Sequence, residues 1–90
     1  AGDEEKRYIL RVTCLREHEK AVRQLLLNIA QQQRFTLQGL QSAAADTADQ
    51  LEICAELISH KQHQKTLAQI MAQVGVQQNV TSVHWRVGDA

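Results

Sequence analysis

The stretch YILRVTC, residues 8–14, decides the fold because its side chains alternate between two classes. A period of two is typical of a β-strand that buries one face and leaves the other open. The first class is largely apolar and comprises Tyr8, Leu10, Val12 and Cys14. The second class comprises Ile9, Arg11 and Thr13. The stretch therefore predicts a strand whose first class faces a core.

The next apolar residues follow a helical period. Their spacing is i, i+3, i+4 and i+7, which predicts an amphipathic helix with one apolar stripe. The stripe comprises Val22, Leu25, Leu26 and Ile29. The same spacing returns 45 residues later (22 to 67) in Leu67, Ile70, Met71 and Val74. The chain thus carries two similar helices.

Three further stretches alternate like the first and predict three more strands. In RFTLQGLQS, residues 34–42, the alternation runs to Gly39, where we expect a β-bulge. In the next strand the two sets are Leu51, Ile53, Ala55, Leu57 and Glu52, Cys54, Glu56. In the last they are Val83, Trp85, Val87 and Ser82, His84, Arg86.

The resulting order is β-α-β-β-α-β, which predicts an α+β fold. Two right-handed βαβ units in one sheet form a ferredoxin-like or ACT-like sandwich. We expect a four-stranded antiparallel sheet with the first and third strands at its centre and both helices on one face. The domain should span residues 7–88, with residues 1–6 as a linker or an expression remnant. The predicted core comprises Leu10, Val12, Val22, Leu25, Leu26, Ile29, Ile53, Ala55, Leu67, Ile70, Met71 and Val74.

Composition excludes several classes of function. Ninety residues make one domain, and ten basic residues balance ten acidic ones. A neutral chain without a Lys/Arg cluster lacks the electrostatic footprint of a nucleic-acid binder. There is neither an apolar run of about 20 residues, as a membrane span needs, nor a signal peptide. No phosphate loop, nucleophile elbow or catalytic Cys–His arrangement is present, so we expect neither an enzyme nor a cofactor.

The predicted strands place the two cysteines on different faces of the sheet. Cys14 continues the core-facing set of its strand, whereas Cys54 lies between Glu52 and Glu56 on the opposite set. A disulfide between them is therefore not expected. Two free thiols fit a reducing compartment.

The sheet face without helices is the candidate interaction face. Its predicted members are Ile9, Arg11, Glu52, Cys54, Glu56, His84 and Arg86, with Ile9, Leu40 and Ile58 as the apolar part. Cross-strand Arg–Glu pairs explain such a face without any function, and we favour that interpretation. The alternative is a surface for a dimer or for a docking partner.

His60 and His63 stand at i and i+3 and are weak candidates for a zinc-type metal site. We favour ordinary solvated histidines, because a stable zinc site requires three or four ligands. Magnesium prefers oxygen ligands, and the sequence has no cluster of Asp residues. We therefore expect no specific Mg²⁺ binding.

The last strand joins a large apolar residue to a polar one. Because Trp85 alternates with Val83 and Val87, we expect its indole on the helix side of the sheet. His84 should then face the open side, beside Arg86. We expect Trp85 to be structural and His84 to be dispensable for folding.

Three stretches resemble the C-terminal cytoplasmic domain of bacterial membrane proteins of the MgtC/SapB family. They are EHEKAVRQLLLNIAQQQRFTLQGLQS (17–42), QLEICAEL (50–57) and NVTSVHWRV (79–87). The strongest parts are the helix beginning at His18 and the closing Val80, Val83 and Trp85. The resemblance implies an ACT-like domain that follows a block of membrane helices in that family, on the cytoplasmic side of the inner membrane and soluble when isolated.

The family resemblance also implies a function. Such proteins are linked to growth at low magnesium and to survival inside macrophages, and they are thought to modulate other membrane proteins. We expect a regulatory or interaction domain whose partners are other membrane proteins, the membrane part of its own chain, or a second copy. The alternative is a ligand-sensing domain for an amino acid or a transition metal. In ACT domains that bind amino acids the loop after the first strand contains glycine, whereas here CLREHEK (14–20) has none.

Overall fold

The computed structural model describes residues 5–59, 64–76 and 79–88. The strands are β1 (Lys6–Leu15), β2 (Thr36–Ala44), β3 (Gln50–Ser59) and β4 (Val80–Val87). The helices are α1 (Glu19–Gln32), which follows a short 3-10 turn at Arg16–His18, and α2 (Gln64–Gly75). The order β-α-β-β-α-β is the predicted one.

The strands form one antiparallel sheet in the order β2-β3-β1-β4. β1 and β3 lie at its centre, as predicted, and pair without interruption from Lys6 opposite Ser59 to Leu15 opposite Gln50. This register places Val12 opposite Ile53, so the apolar sets of both strands share one face.

Both helices cover that apolar face. Residues of both helices join β1 and β3 in one buried cluster, which includes Val22, Leu26, Ile29, Ile70, Val74, Leu10, Val12 and Ile53. The predicted sandwich with both helices on one side is thereby confirmed. Leu25 and Met71 are only partly buried against this cluster, and the side chain of Leu67 lies outside the described residues.

An aromatic group in the core was not predicted from the sequence. Tyr8 is buried, and its ring meets Phe35 edge to face at 6.1 Å and Trp85 at 5.9 Å between centroids. Such edge contacts stabilise by about 0.5–1.5 kcal/mol beyond the buried area. The group ties β1 to the start of β2 and to β4. The expected helix-side placement of Trp85 is confirmed, since Trp85 pairs with Leu10.

Each edge strand contains a bulge. In β2 the register with β3 shifts between Leu37 and Gly39, as expected at this position. The expected place of Leu40 was nevertheless wrong, because the extra residue turns Leu40 to the helix face, opposite Ala55. Leu40 packs against the core cluster. A second bulge lies in β4 between Val80, which pairs with Cys14, and Ser82, which pairs with Thr13. Residues three apart in a regular strand point to opposite faces, but this bulge puts Val80 and Val83 on the same face.

The turn from α1 to β2 ends the helix with a residue in the left-handed region. Arg34 has φ 62°, its N–H donates to the carbonyl of Gln31, and the N–H of Phe35 donates to the carbonyl of Ala30. This pair of bonds is the Schellman arrangement, where glycine is usual. It sends the chain directly back into the sheet and places Phe35 in the core.

We expect Trp85→Ala to lower the free energy of unfolding by about 3 kcal/mol, because the indole is partly buried against Tyr8. His84→Ala, the matched control one residue away, should change it by less than about 0.5 kcal/mol, because His84 is exposed on the other face. Urea denaturation followed by circular dichroism measures both. The reverse order of effects would show that the register of β4 is shifted by one residue.

Candidate functional site: the open face of the sheet

The sheet surface opposite the helices is here called the open face. β1 lies between its two partners, so that Ile9 stands opposite both Glu56 and Arg86, and Arg11 stands opposite both Cys54 and His84. All seven residues proposed as an interaction face therefore lie together on three adjacent strands. The structure places them; their role as an interaction face stays a prediction.

Ion pairs run diagonally across this face. Nη2 of Arg11 donates to both carboxylate oxygens of Glu52, at 2.8 and 2.9 Å. The hydrogen bond from Arg11 to Glu52, together with the negative charge of Glu52, raises the pKa of the guanidinium. Nε of Arg7 lies 3.4 Å from Oε1 of Glu56. Arg7 was not among the residues predicted for this face, although its odd position in β1 could have indicated it.

Little apolar surface is left on the open face. Leu40 lies on the other side of the sheet, as described above. Ile58 has an accessible fraction of only 9%, and Ile9 is half-buried. The face is thus mainly a mosaic of opposite charges. Such a surface selects a partner by the complementary arrangement of its charges more than by its apolar area.

A shallow cleft of about 330 Å³ lies between the open face and the turn from β2 to β3. Arg11, Thr13 and Glu52 line one side, and Asp46 and Thr47 line the other. Charges of both signs could bind the carboxylate and the ammonium of an amino acid. Because Arg11 and Glu52 already bind each other, such a ligand would have to break that ion pair.

The cysteines lie on opposite faces, as predicted, and both are free. Cys14 is buried on the helix side, opposite Leu51, and Cys54 is half-buried on the open face, opposite Arg11. Burial, followed by the nearby charge of Glu19, raises the pKa of the Cys14 thiol above its ordinary value. Cys14 therefore behaves as a small apolar residue of the core.

Within the described residues, no group of three or more His, Cys, Asp and Glu side chains is arranged to bind a metal ion. The weak candidates His60 and His63 lie outside the described residues. In the same described part of the chain, neither helix has the length and apolarity required to cross a bilayer.

The chain matches known proteins over nearly its whole length. The family model described as MGTC/SAPB C-terminal domain matches residues 8–85. Protein MgtC of Salmonella typhi is 45% identical over 87 residues, which are 97% of this chain and 38% of that protein. Protein MgtC of Salmonella paratyphi A is 46% identical over 85 residues, which are 94% of this chain and 37% of that protein. The chain thus spans well under half the length of these curated relatives.

Solved structures share the fold. The solution structure of the C-terminal domain of the MgtC protein from Mycobacterium tuberculosis superposes with a TM-score of 0.85 at 26% identity, covering 92% of this chain and 87% of that one. The ACT domain from GTP pyrophosphokinase of Chlorobium tepidum superposes with a TM-score of 0.71 at 10% identity, covering 91% and 86%. At 10% identity the second likeness concerns the fold alone.

We expect the two thiols to differ strongly in reactivity in the folded protein. Cys54 should react with a water-soluble thiol reagent, whereas buried Cys14 should react only after unfolding. Mass spectrometry after a timed pulse of reagent should find one label in buffer and two in denaturant. The single-cysteine variants Cys14→Ala and Cys54→Ala assign each label. Rapid labelling of Cys14 in buffer would contradict the faces assigned here.

Proposed function

The chain belongs to the MgtC/SapB C-terminal domain family, and we propose from this premise that it is a non-catalytic regulatory or interaction domain of a bacterial membrane protein. The match of the family model to residues 8–85 carries the proposal. We place the domain on the cytoplasmic side of the inner membrane. The parent protein would serve adaptation to low magnesium and survival inside macrophages, as the family resemblance implies.

The open face supports an interaction role by its chemistry. Glu52 and Glu56 are each about one-third exposed and lie beside arginines. General acid–base catalysis usually uses a buried carboxyl group, whereas these two are partly exposed and lie against guanidinium groups on a flat sheet. A mosaic of Arg and Glu side chains instead fits a protein surface of complementary charge. We propose other membrane proteins, or the membrane part of the domain's own chain, as the surface that it meets; a second copy is the remaining candidate.

A ligand-sensing role for an amino acid is the second candidate, and the cleft beside Arg11 favours it. Amino-acid sensing is the less favoured of the two roles, because the ligand would have to break the ion pair between Arg11 and Glu52. A transition metal would depend on His60 and His63, which lie outside the described residues.

The interaction role can be tested by domain exchange. This chain replaces the matching C-terminal part of Salmonella typhimurium MgtC, to which it is 45% identical, and growth at low magnesium is measured. We expect the chimera to support growth, and we expect Arg11→Glu on the open face to reduce growth strongly. Lys20→Glu, at an exposed position of α1, makes the same charge change and should have no effect.

Immunoblots measure the level of each chimera, and thermal melts of the isolated domain show whether each variant folds. A growth defect can then be assigned to lost function. Normal growth of the Arg11→Glu chimera would contradict an interaction through the open face. Failure of the unmodified chimera at normal protein levels would contradict the proposed family role for this chain.

We further propose that the domain does not bind Mg²⁺ specifically. Millimolar Mg²⁺ should produce only small, linear amide shifts spread over the acidic residues in a two-dimensional NMR titration. K⁺ at matched ionic strength is the control for screening. A saturable set of shifts confined to one site would contradict the proposal.

A further inference from the structure

The two described ends of the chain meet at one end of the sheet. β1 begins there and β4 finishes there, with Tyr8 opposite Val87. The N–H of Gly88 donates to the carbonyl of Arg7 at 2.7 Å, which fixes the end of β4 to the start of β1. A segment that precedes β1 therefore enters the domain at this end.

Basic residues surround the same end. Lys6 pairs with Ser59 in the last row of the sheet, and Arg86 stands opposite Ile9 close by. Arg34 lies in the turn just before Thr36, which pairs with Ile58. We call Lys6, Arg7, Arg34 and Arg86 the basic end. Among the described residues, the acidic ones at this end are Glu5 and Glu56, so the basic side chains exceed them by two (four minus two).

Acidic residues prevail at the opposite end of the sheet. Among the described residues there, Glu17, Glu19, Asp46 and Asp49 outnumber Arg16, Lys20 and Arg23. That end holds the start of α1 and the turn between β2 and β3, which are tied together where the N–H of Arg16 donates to the carbonyl of Asp49 at 2.9 Å. Among the described residues, positive charge therefore prevails at one end of the strands and negative charge at the other.

An exposed apolar side chain accompanies the basic residues. Val87 has an accessible fraction of 55%, although it is a strand residue. It lines an open cleft of about 390 Å³ together with Ile58, Gly88, Lys6, Arg7 and the acidic Glu5. Cationic side chains around a small apolar surface are the composition with which peripheral proteins meet the headgroup region of anionic bilayers.

We propose that the basic end is a docking surface for an anionic phospholipid bilayer. This inference rests on the proposed function, because it takes the domain to follow a membrane part whose last segment enters at this end. The strands then stand along the membrane normal with the acidic end pointing away. The open face becomes perpendicular to the bilayer, where it faces the flanks of neighbouring membrane proteins.

The strength of this contact follows from the number of charges. Each basic residue near an anionic surface strengthens binding roughly fivefold. A few such residues give the isolated domain weak binding that depends on salt. The tether in a longer protein would raise the effective concentration and make this weak contact sufficient.

Vesicle flotation of this 90-residue chain tests the proposal. The probe is vesicles of phosphatidylcholine with about one-third phosphatidylglycerol, compared with phosphatidylcholine alone. We expect binding only to the anionic vesicles at low salt. Lys6→Glu with Arg34→Glu should reduce partitioning by at least about 25-fold. Lys20→Glu with Arg23→Glu, an equal charge change at the other end, should leave most of the binding intact.

Three outcomes would overturn the proposal: no binding to anionic vesicles, equal binding to neutral ones, or equal loss in both double variants. Circular dichroism of each variant verifies folding. If Arg34→Glu disturbs the turn, Lys6→Glu alone against Lys20→Glu gives the same comparison with about a fivefold expected loss. The assay contains no protein partner and no growth readout, so its failure leaves the domain-exchange result standing, and failure of that exchange leaves the vesicle result standing.

Discussion

The central ladder between β1 and β3 is the constraint on which the rest of the structure depends. Its ten residue pairs fix which side chains of both strands share a face. A shift by one residue would place the apolar set of one strand on the same face as the charged set of the other, for example Arg11 opposite Ile53 and Val12 opposite Glu52. A charged side chain would then enter the core, which costs much free energy without a partner. The register also determines the side on which both helices pack, because only one face of the sheet is then apolar.

The sequence predicted the elements, their order and the two faces because each depends on periodicity. It did not predict the consequence of the bulge at Gly39: a bulge reverses the alternation, so Leu40 joined the core although it had been expected on the open face. Tyr8 belonged to the set of β1 predicted to face the core, but its contact with Phe35 was not predicted, because that contact depends on the turn at Arg34. The members of the open face were predictable, whereas their diagonal ion pairs, and with them Arg7, depend on side-chain reach between strands.

The open face combines half-exposed ion pairs with little apolar area. Exposed pairs contribute about 0–1 kcal/mol each, so the Arg11–Glu52 contact adds little to stability. Their value to an interaction domain would be specificity, since a partner must match the order of charges along the strands. Such a surface is suited to contacts made at high local concentration, as within one membrane assembly, and poorly suited to capturing a partner from dilute solution.

The two bulges lie on the two edge strands, β2 and β4, and this affects how the domain behaves in a crowded cell. An open sheet exposes unpaired N–H and C=O groups at both edges, which invite strands of other molecules. Each bulge interrupts the regular pattern near the start of its strand and increases the local twist, so an incoming strand finds a shortened template. By these principles, both irregularities disfavour edge-to-edge aggregation of the four-stranded sheet that the described residues form.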